Sequence, residues 1–165
     1  MRPRQEDVFE EFAREFIRRH QGPHPLWPVE RILVATDFSL CSLTALEYAE
    51  ELARHFDAEL LLLHAEEEPL IGAEMADVIH AAAERELART IQPLRDDHFK
   101  VRSLLRPGAP AEEILKAAET ERASLIVMGT HGRKGVAHML MGSVAERVVR
   151  GASCPVLTVG HRKDG

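Results

Sequence analysis

The chain reads as an α/β domain on a doubly wound, five-stranded parallel sheet of order 3-2-1-4-5, with helices on both faces. Two observations carry that reading. Of five short runs, "RILVATD", "AELLLLHA", "FKVRSLLR", "ASLIVMG" and "PVLTVG", four are apolar at consecutive positions, as strands covered on both faces require. Helical stretches separate the runs in strict alternation, and right-handed crossovers then lead to an open, doubly wound sheet.

Each element has a local reason. The first strand, from Arg31 to Asp37, is rich in β-branched residues, and the helix after it places Leu46, Ala49, Ala53 and Phe56 on one stripe. Behind the second strand a longer helix repeats Met75, Ile79, Ala83, Leu87 and Ile91 at intervals of four. Pro110 before "AEEILKAAE" opens the next helix, with acidic residues in its first turn. "SVAE", Ser143 to Glu146, has the spacing of a capping box for the last helix. In the 3-2-1-4-5 order the connections reverse between the first and fourth strands, so a ligand crevice is expected at the ends marked by Asp37 and Gly129.

Residues 1–29 stand apart from this pattern, and residues 30–165 form the expected α/β domain. In "QEDVFEEFAREFIRRH", Val8, Phe9, Phe12, Phe16 and Ile17 mark one face of a helix, with charges of both signs on the other, before "QGPHPLWP" stops it. Half of the six phenylalanines fall there, which predicts a helical arm that packs on its own domain or on a second subunit.

Composition narrows the function. At 165 residues the chain is long enough for one core, and its formal charge of −6 argues against a general nucleic-acid binder. No apolar run is long enough to span a bilayer, and the charged start does not read as a signal peptide. Two distant cysteines, Cys41 and Cys154, suggest neither a disulfide framework nor a zinc pattern, and a cytoplasmic protein is expected.

The stretch "MGTHGRKGVAHMLMGS" behind the fourth strand holds glycines 129, 132, 135 and 142, and a helix begins near Ser143. Glycines let backbone N–H groups approach an anion, and a helix start adds its positive dipole end. Such a loop can equally use glycine only to turn, with Ser143 a simple cap. Neither the dinucleotide fingerprint nor the P-loop pattern is present. His64, His131 and His138 lie near these strand ends without a metal-binding spacing.

The spacing G-x2-G-x9-G-S at Gly129, Gly132, Gly142 and Ser143, with "ILVATDFS" on the first strand and "CPVLTV" on the last, resembles the universal stress protein family in its ATP-binding branch. The resemblance covers about residues 30 to 160 and leaves the arm outside it. It implies that Asp37 meets the adenosine part of the ligand beside Ala35 and Thr36, and that Ala65 offers backbone contacts to adenine. Met128 and Gly129 would line the nucleoside, and Gly132, Arg133, Gly142, Ser143 and Val144 would surround the phosphates. It further implies ATP or another adenine nucleotide, brought in with Mg²⁺, and a two-fold homodimer through the C-terminal strand. That strand ends the sheet as an edge, with Val156 and Thr158 on one face and Leu157 and Val159 on the other.

Fast phosphoryl transfer needs a group orienting the nucleophile, a metal-holding carboxylate and a cation at the γ-phosphate. Only Asp37 and Arg133 are at hand, and both have simpler duties. The expected function is therefore a nucleotide-dependent sensor with at most slow hydrolysis. The rivals are an interaction module with a vestigial site and, further off, an ATP α-hydrolase-type enzyme. The S-G-G-x-D-S signature of the latter is absent from "TDFSLCS".

Overall fold

The computed structural model describes residues 29–67, 73–131 and 141–160. Residues 1–28 of the arm, with Gly132, Arg133 and His138, lie outside the described residues. Among the described residues five strands and four helices alternate: β1 (Arg31–Ala35), α1 (Leu40–Phe56), β2 (Glu59–Glu66), α2 (Ala73–Asp96), β3 (Val101–Pro107), α3 (Pro110–Thr120), β4 (Leu125–Gly129), α4 (Ser143–Gly151) and β5 (Val156–Val159). The strands form one sheet of order β3-β2-β1-β4-β5, and every pairing is parallel. Fold class and strand order thus match the sequence reading.

The consecutive apolar runs are explained by the two-sided covering. Ile32, Val34, Leu60, Leu62 and Val127 face α1 and α2, where Ala45, Ala49, Leu87 and Ile91 meet them. Leu33, Leu61, Leu63, Ile126 and Met128 face the other way, onto Ile114 and Ala117 of α3 and Ala145 and Val148 of α4. Ile32 to Ala35 of β1 and Leu60 to Leu63 of β2 are therefore all buried, whichever way their side chains point.

Three details depart from the sequence pattern. Phe56, Met75 and Ile79, expected on inward stripes, are exposed. The cause is length: α2 has 24 residues against eight in β2, so at about 1.5 Å per residue its first turns overrun the sheet they would cover. His80 of α2 already meets Glu66, the last residue of β2, at 2.8 Å. Phe56 ends α1 just before Asp57 turns left-handed, φ 54°, and leaves the helix axis. Finally, β1 stops at Ala35 rather than Asp37.

The two sheet edges differ. Along β3, Arg102 pairs with Glu59 at 2.6 Å and with Glu121 at 3.2 Å, and Arg106 also reaches Glu121, at 3.4 Å. Arg31 joins the network, donating to the Glu121 carbonyl near the C-terminal end of α3 at 2.9 Å. The Arg102 guanidinium beside Glu59 holds its carboxyl below the usual carboxylate range. Along β5, by contrast, "VLTV" carries no charge, and Leu157 is exposed.

Leu61 is fully buried and Met75 is half exposed. Leu61→Ala is expected to cost about 2–5 kcal/mol of stability, and Met75→Ala no more than about 0.5 kcal/mol. Urea denaturation of both variants checks the contrast.

Candidate functional site

At its end β1 leads into α1 on one face of the sheet, and the neighbouring β4 leads towards α4 on the other. The two departing chains leave a crevice above the ends of β1 and β4. Its floor is Ala35, in register with Met128 on one side and Leu63 on the other. Both Ala35 and Met128 are buried. One wall is the end of β2, which runs three residues past β1 through His64, Ala65 and Glu66.

The turn from β1 into α1 is tightly bonded. Thr36 N–H continues the ladder to the Leu63 carbonyl at 2.8 Å. The Thr36 hydroxyl is buried against the Ser42 hydroxyl at 3.1 Å and accepts from Phe38 N–H at 3.0 Å. Its side chain is thus engaged within the turn. Asp37 stands at the crevice with Oδ1 accepting from Ser39 N–H at 3.1 Å. Ser39 caps α1, its hydroxyl accepting from Ser42 N–H. Phe38 lies at φ 62°, a left-handed conformation that is costly for a bulky side chain.

Two of the glycines have measurable reasons. A Cβ on Gly129 would stand 2.8 Å from Cys41 Sγ and 3.1 Å from the Cys41 carbonyl carbon, because the first turn of α1 lies directly on the end of β4. A Cβ on Gly142 would stand 3.0 Å from the Thr130 carbonyl oxygen, which accepts from Gly142 N–H at 2.7 Å. That bond folds the chain back so that α4 begins at the crevice. Gly142 is the N-cap, Ser143 the first helical residue, and no side chain caps the helix. The expected capping box is therefore not formed: the Thr130 carbonyl sets the helix start one residue early, and Glu146 pairs with Arg150 at 2.8 Å instead. With no side-chain cap, the N–H groups of Ser143 and Val144 have no intrahelical partner and belong to the positive end of the helix.

The structure therefore brings Ala35, Asp37, Ala65, Met128, Gly129, Gly142, Ser143 and Val144 to one end of the sheet, with Thr36 beneath them. Cys41 is buried and its thiol donates to the Val159 carbonyl at 3.3 Å, a packing role. Burial pushes the Cys154 thiol up, away from the thiolate form that nucleophilic attack uses. Among the described residues no group of His, Cys, Asp and Glu could hold a metal ion. Sequence reasoning left His64 as an ordinary strand-end histidine. Its Nδ1 lies 2.8 Å from the Thr36 carbonyl and its ring 4.5 Å from that of Phe38, contacts that no local pattern announces.

A sheet of this order, with a glycine-bounded crevice at the switch between β1 and β4, defines an open, doubly wound α/β fold of the kind that takes ligands at the strand ends. The chain belongs to the universal stress protein family, whose model matches residues 28–160. It is 36% identical to the universal stress protein MJ0531 of Methanocaldococcus jannaschii over 142 residues, 81% of this chain and 84% of that protein. The solved structure of protein MJ0577 of the same organism matches with a TM-score of 0.77 and 32% identity, over 83% of this chain and 99% of that one. A universal stress protein solved in complex with cAMP matches at TM-score 0.66 and 25% identity, over 80% of this chain and 97% of the other.

Gly129→Ala is expected to destabilise the protein by about 1–3 kcal/mol, because the Cys41 backbone cannot yield as a flexible side chain would. The double variant with Cys41→Ala should recover only part of that loss, since the backbone contact at 3.1 Å remains. Thermal unfolding of the two variants checks this.

Proposed function

We propose that this protein is an adenine-nucleotide-binding regulator, cytoplasmic, in which ATP occupancy is the signal and hydrolysis is at most slow. The observation that carries the reading is the start of α4. Gly142 is pinned to the Thr130 carbonyl at 2.7 Å, so the uncapped end of a nine-residue helix sits beside the crevice. That is the arrangement that suits a phosphate. The cAMP complex of a relative at 25% identity supports an adenine ligand. Gly142, Ser143 and Val144, with Gly132 and Arg133 from the family pattern, would hold the phosphates. Asp37 would take the ribose, and Ala35, Ala65, Met128 and Gly129 would line the nucleoside. Mg²⁺ would arrive with the nucleotide, since it is usually held by phosphates and only one or two carboxylates. Residues 1–29 are an added segment outside the nucleotide-binding unit.

A ligand that binds only the folded state stabilises it by RT ln(1 + [L]/Kd). ATP with Mg²⁺ at about a hundred times Kd is therefore expected to add about 2.7 kcal/mol, or roughly 5–10 °C. Asp37→Ala should shrink the shift while leaving ligand-free melting near wild type. A wild-type protein that shows no shift at millimolar ATP and carries no bound nucleotide would refute the reading.

Among the described residues no strand pairs with the outer edge of β5, which supports a homodimer through that strand. The carbonyls of Pro155 and Val159 accept from Ile126 and Thr130 of the β4 side. By the alternation of strand backbone, Val156 and Thr158 turn their N–H and C=O groups to the open edge. Thr158→Pro is therefore expected to shift the protein to monomer in sedimentation at micromolar concentration, without loss of fold. An unchanged sedimentation coefficient would place the interface elsewhere.

A further inference from the structure

We propose that His64 is a positioning residue of the crevice, holding the turn Thr36–Ser39 in the one conformation that presents Asp37 to a nucleotide. This rests on the nucleotide-binding reading above. It begins from a cost: Phe38 is held at φ 62°, where a bulky L-residue is strained, so something around the turn must oppose its relaxation. Two groups hold the turn from within: the Thr36 hydroxyl accepts from Phe38 N–H at 3.0 Å, and Ser39 N–H donates to Asp37 Oδ1 at 3.1 Å. Both would move with the turn if it moved. An anchor has to come from a different element.

His64 is that anchor. It projects from β2 on the α1 side, one residue before Ala65, and its Nδ1 lies 2.8 Å from the Thr36 carbonyl. A carbonyl only accepts, so His64 carries its proton on Nδ1 and donates. The same ring lies 4.5 Å from the Phe38 ring at a tilt of 38°, which is stacking distance. One side chain thus fixes the carbonyl before Asp37 and the side chain after it. Asp37 lies between these two held points, so His64 restrains the backbone on both sides of it. Nδ1–H is a donor in the neutral tautomer and in the cation alike, so the anchor survives protonation of the ring.

Separate variants remove the two contacts. His64→Phe keeps a ring and loses the donor, His64→Asn keeps a donor and loses the ring, and His64→Ala loses both. Measured by calorimetry with ATP and Mg²⁺, His64→Ala is expected to bind about ten-fold more weakly, and His64→Asn to recover to within about three-fold of wild type. The decisive arm is the cycle with Asp37→Ala. If His64 acts through Asp37, then in the Asp37→Ala background His64→Ala costs nothing further. Losses that simply multiply would overturn the proposal, as would wild-type affinity in His64→Ala. Nitrogen-15 NMR of the ligand-free wild-type protein should show the Nδ1–H form. The Nε2–H tautomer would overturn the anchor even if a variant failed to fold. If the wild type binds no nucleotide, the nucleotide reading falls first, and the tautomer still decides whether His64 holds the turn.

Discussion

Two adjacent parallel strands whose chains leave towards opposite faces cannot both be covered at their ends by the same backbone. That constraint shapes everything at the upper end of this sheet. Because β1 passes to α1 on one side and β4 towards α4 on the other, the ground between Ala35 and Met128 is left for something other than main chain. The protein narrows the gap without closing it. It sets the first turn of α1 on Gly129 and the start of α4 on the Thr130 carbonyl, both so near that a Cβ would collide or crowd. The crevice is thus a product of connectivity, and its outline a product of two missing methyl groups.

What the sequence displays well is whatever depends on repetition. The apolar runs of "ILVA" and "LLLL" announce strands buried on both faces, and the strict alternation of elements leads to the strand order. What it displays poorly is where repetition stops. The stripe Met75, Ile79, Ala83 continues unbroken along α2, yet only Ala83 onward finds a sheet beneath it, because the pattern does not record the length of the neighbouring strand. The spacing of Ser143 and Glu146 fits a capping box, but the carbonyl of Thr130, far back along the chain, holds Gly142 and decides where the helix begins.

The candidate site was legible to the same degree. Asp37, Gly129 and Gly142 could be placed from strand ends and glycine spacing, since both are local signals. Thr36 is expected beside Asp37 from the same strand end, but that its hydroxyl bonds to Ser42 and to Phe38 N–H is not visible in the sequence. His64 was passed over, because its significance depends on a residue 28 positions away. Contacts across the sheet are set by register, and register is not written in either strand alone.

The unequal edges carry a consequence for how large an assembly can grow. A parallel sheet open along both sides could add copies indefinitely, each newcomer offering a fresh border to the next, which is the geometry of a fibril. Here the β3 border carries the charges of Arg102 and Arg106, paired with Glu59 and Glu121, and charged side chains on an edge strand disfavour further pairing. The β5 border, "VLTV", has no charge of its own, and among the described residues no strand pairs with its outer side. A molecule with a single adhesive border can satisfy it once, by meeting an identical border across a two-fold axis, and growth then terminates. For a dimer of that kind, the arginines and glutamates beside β3 would act as a chain stopper.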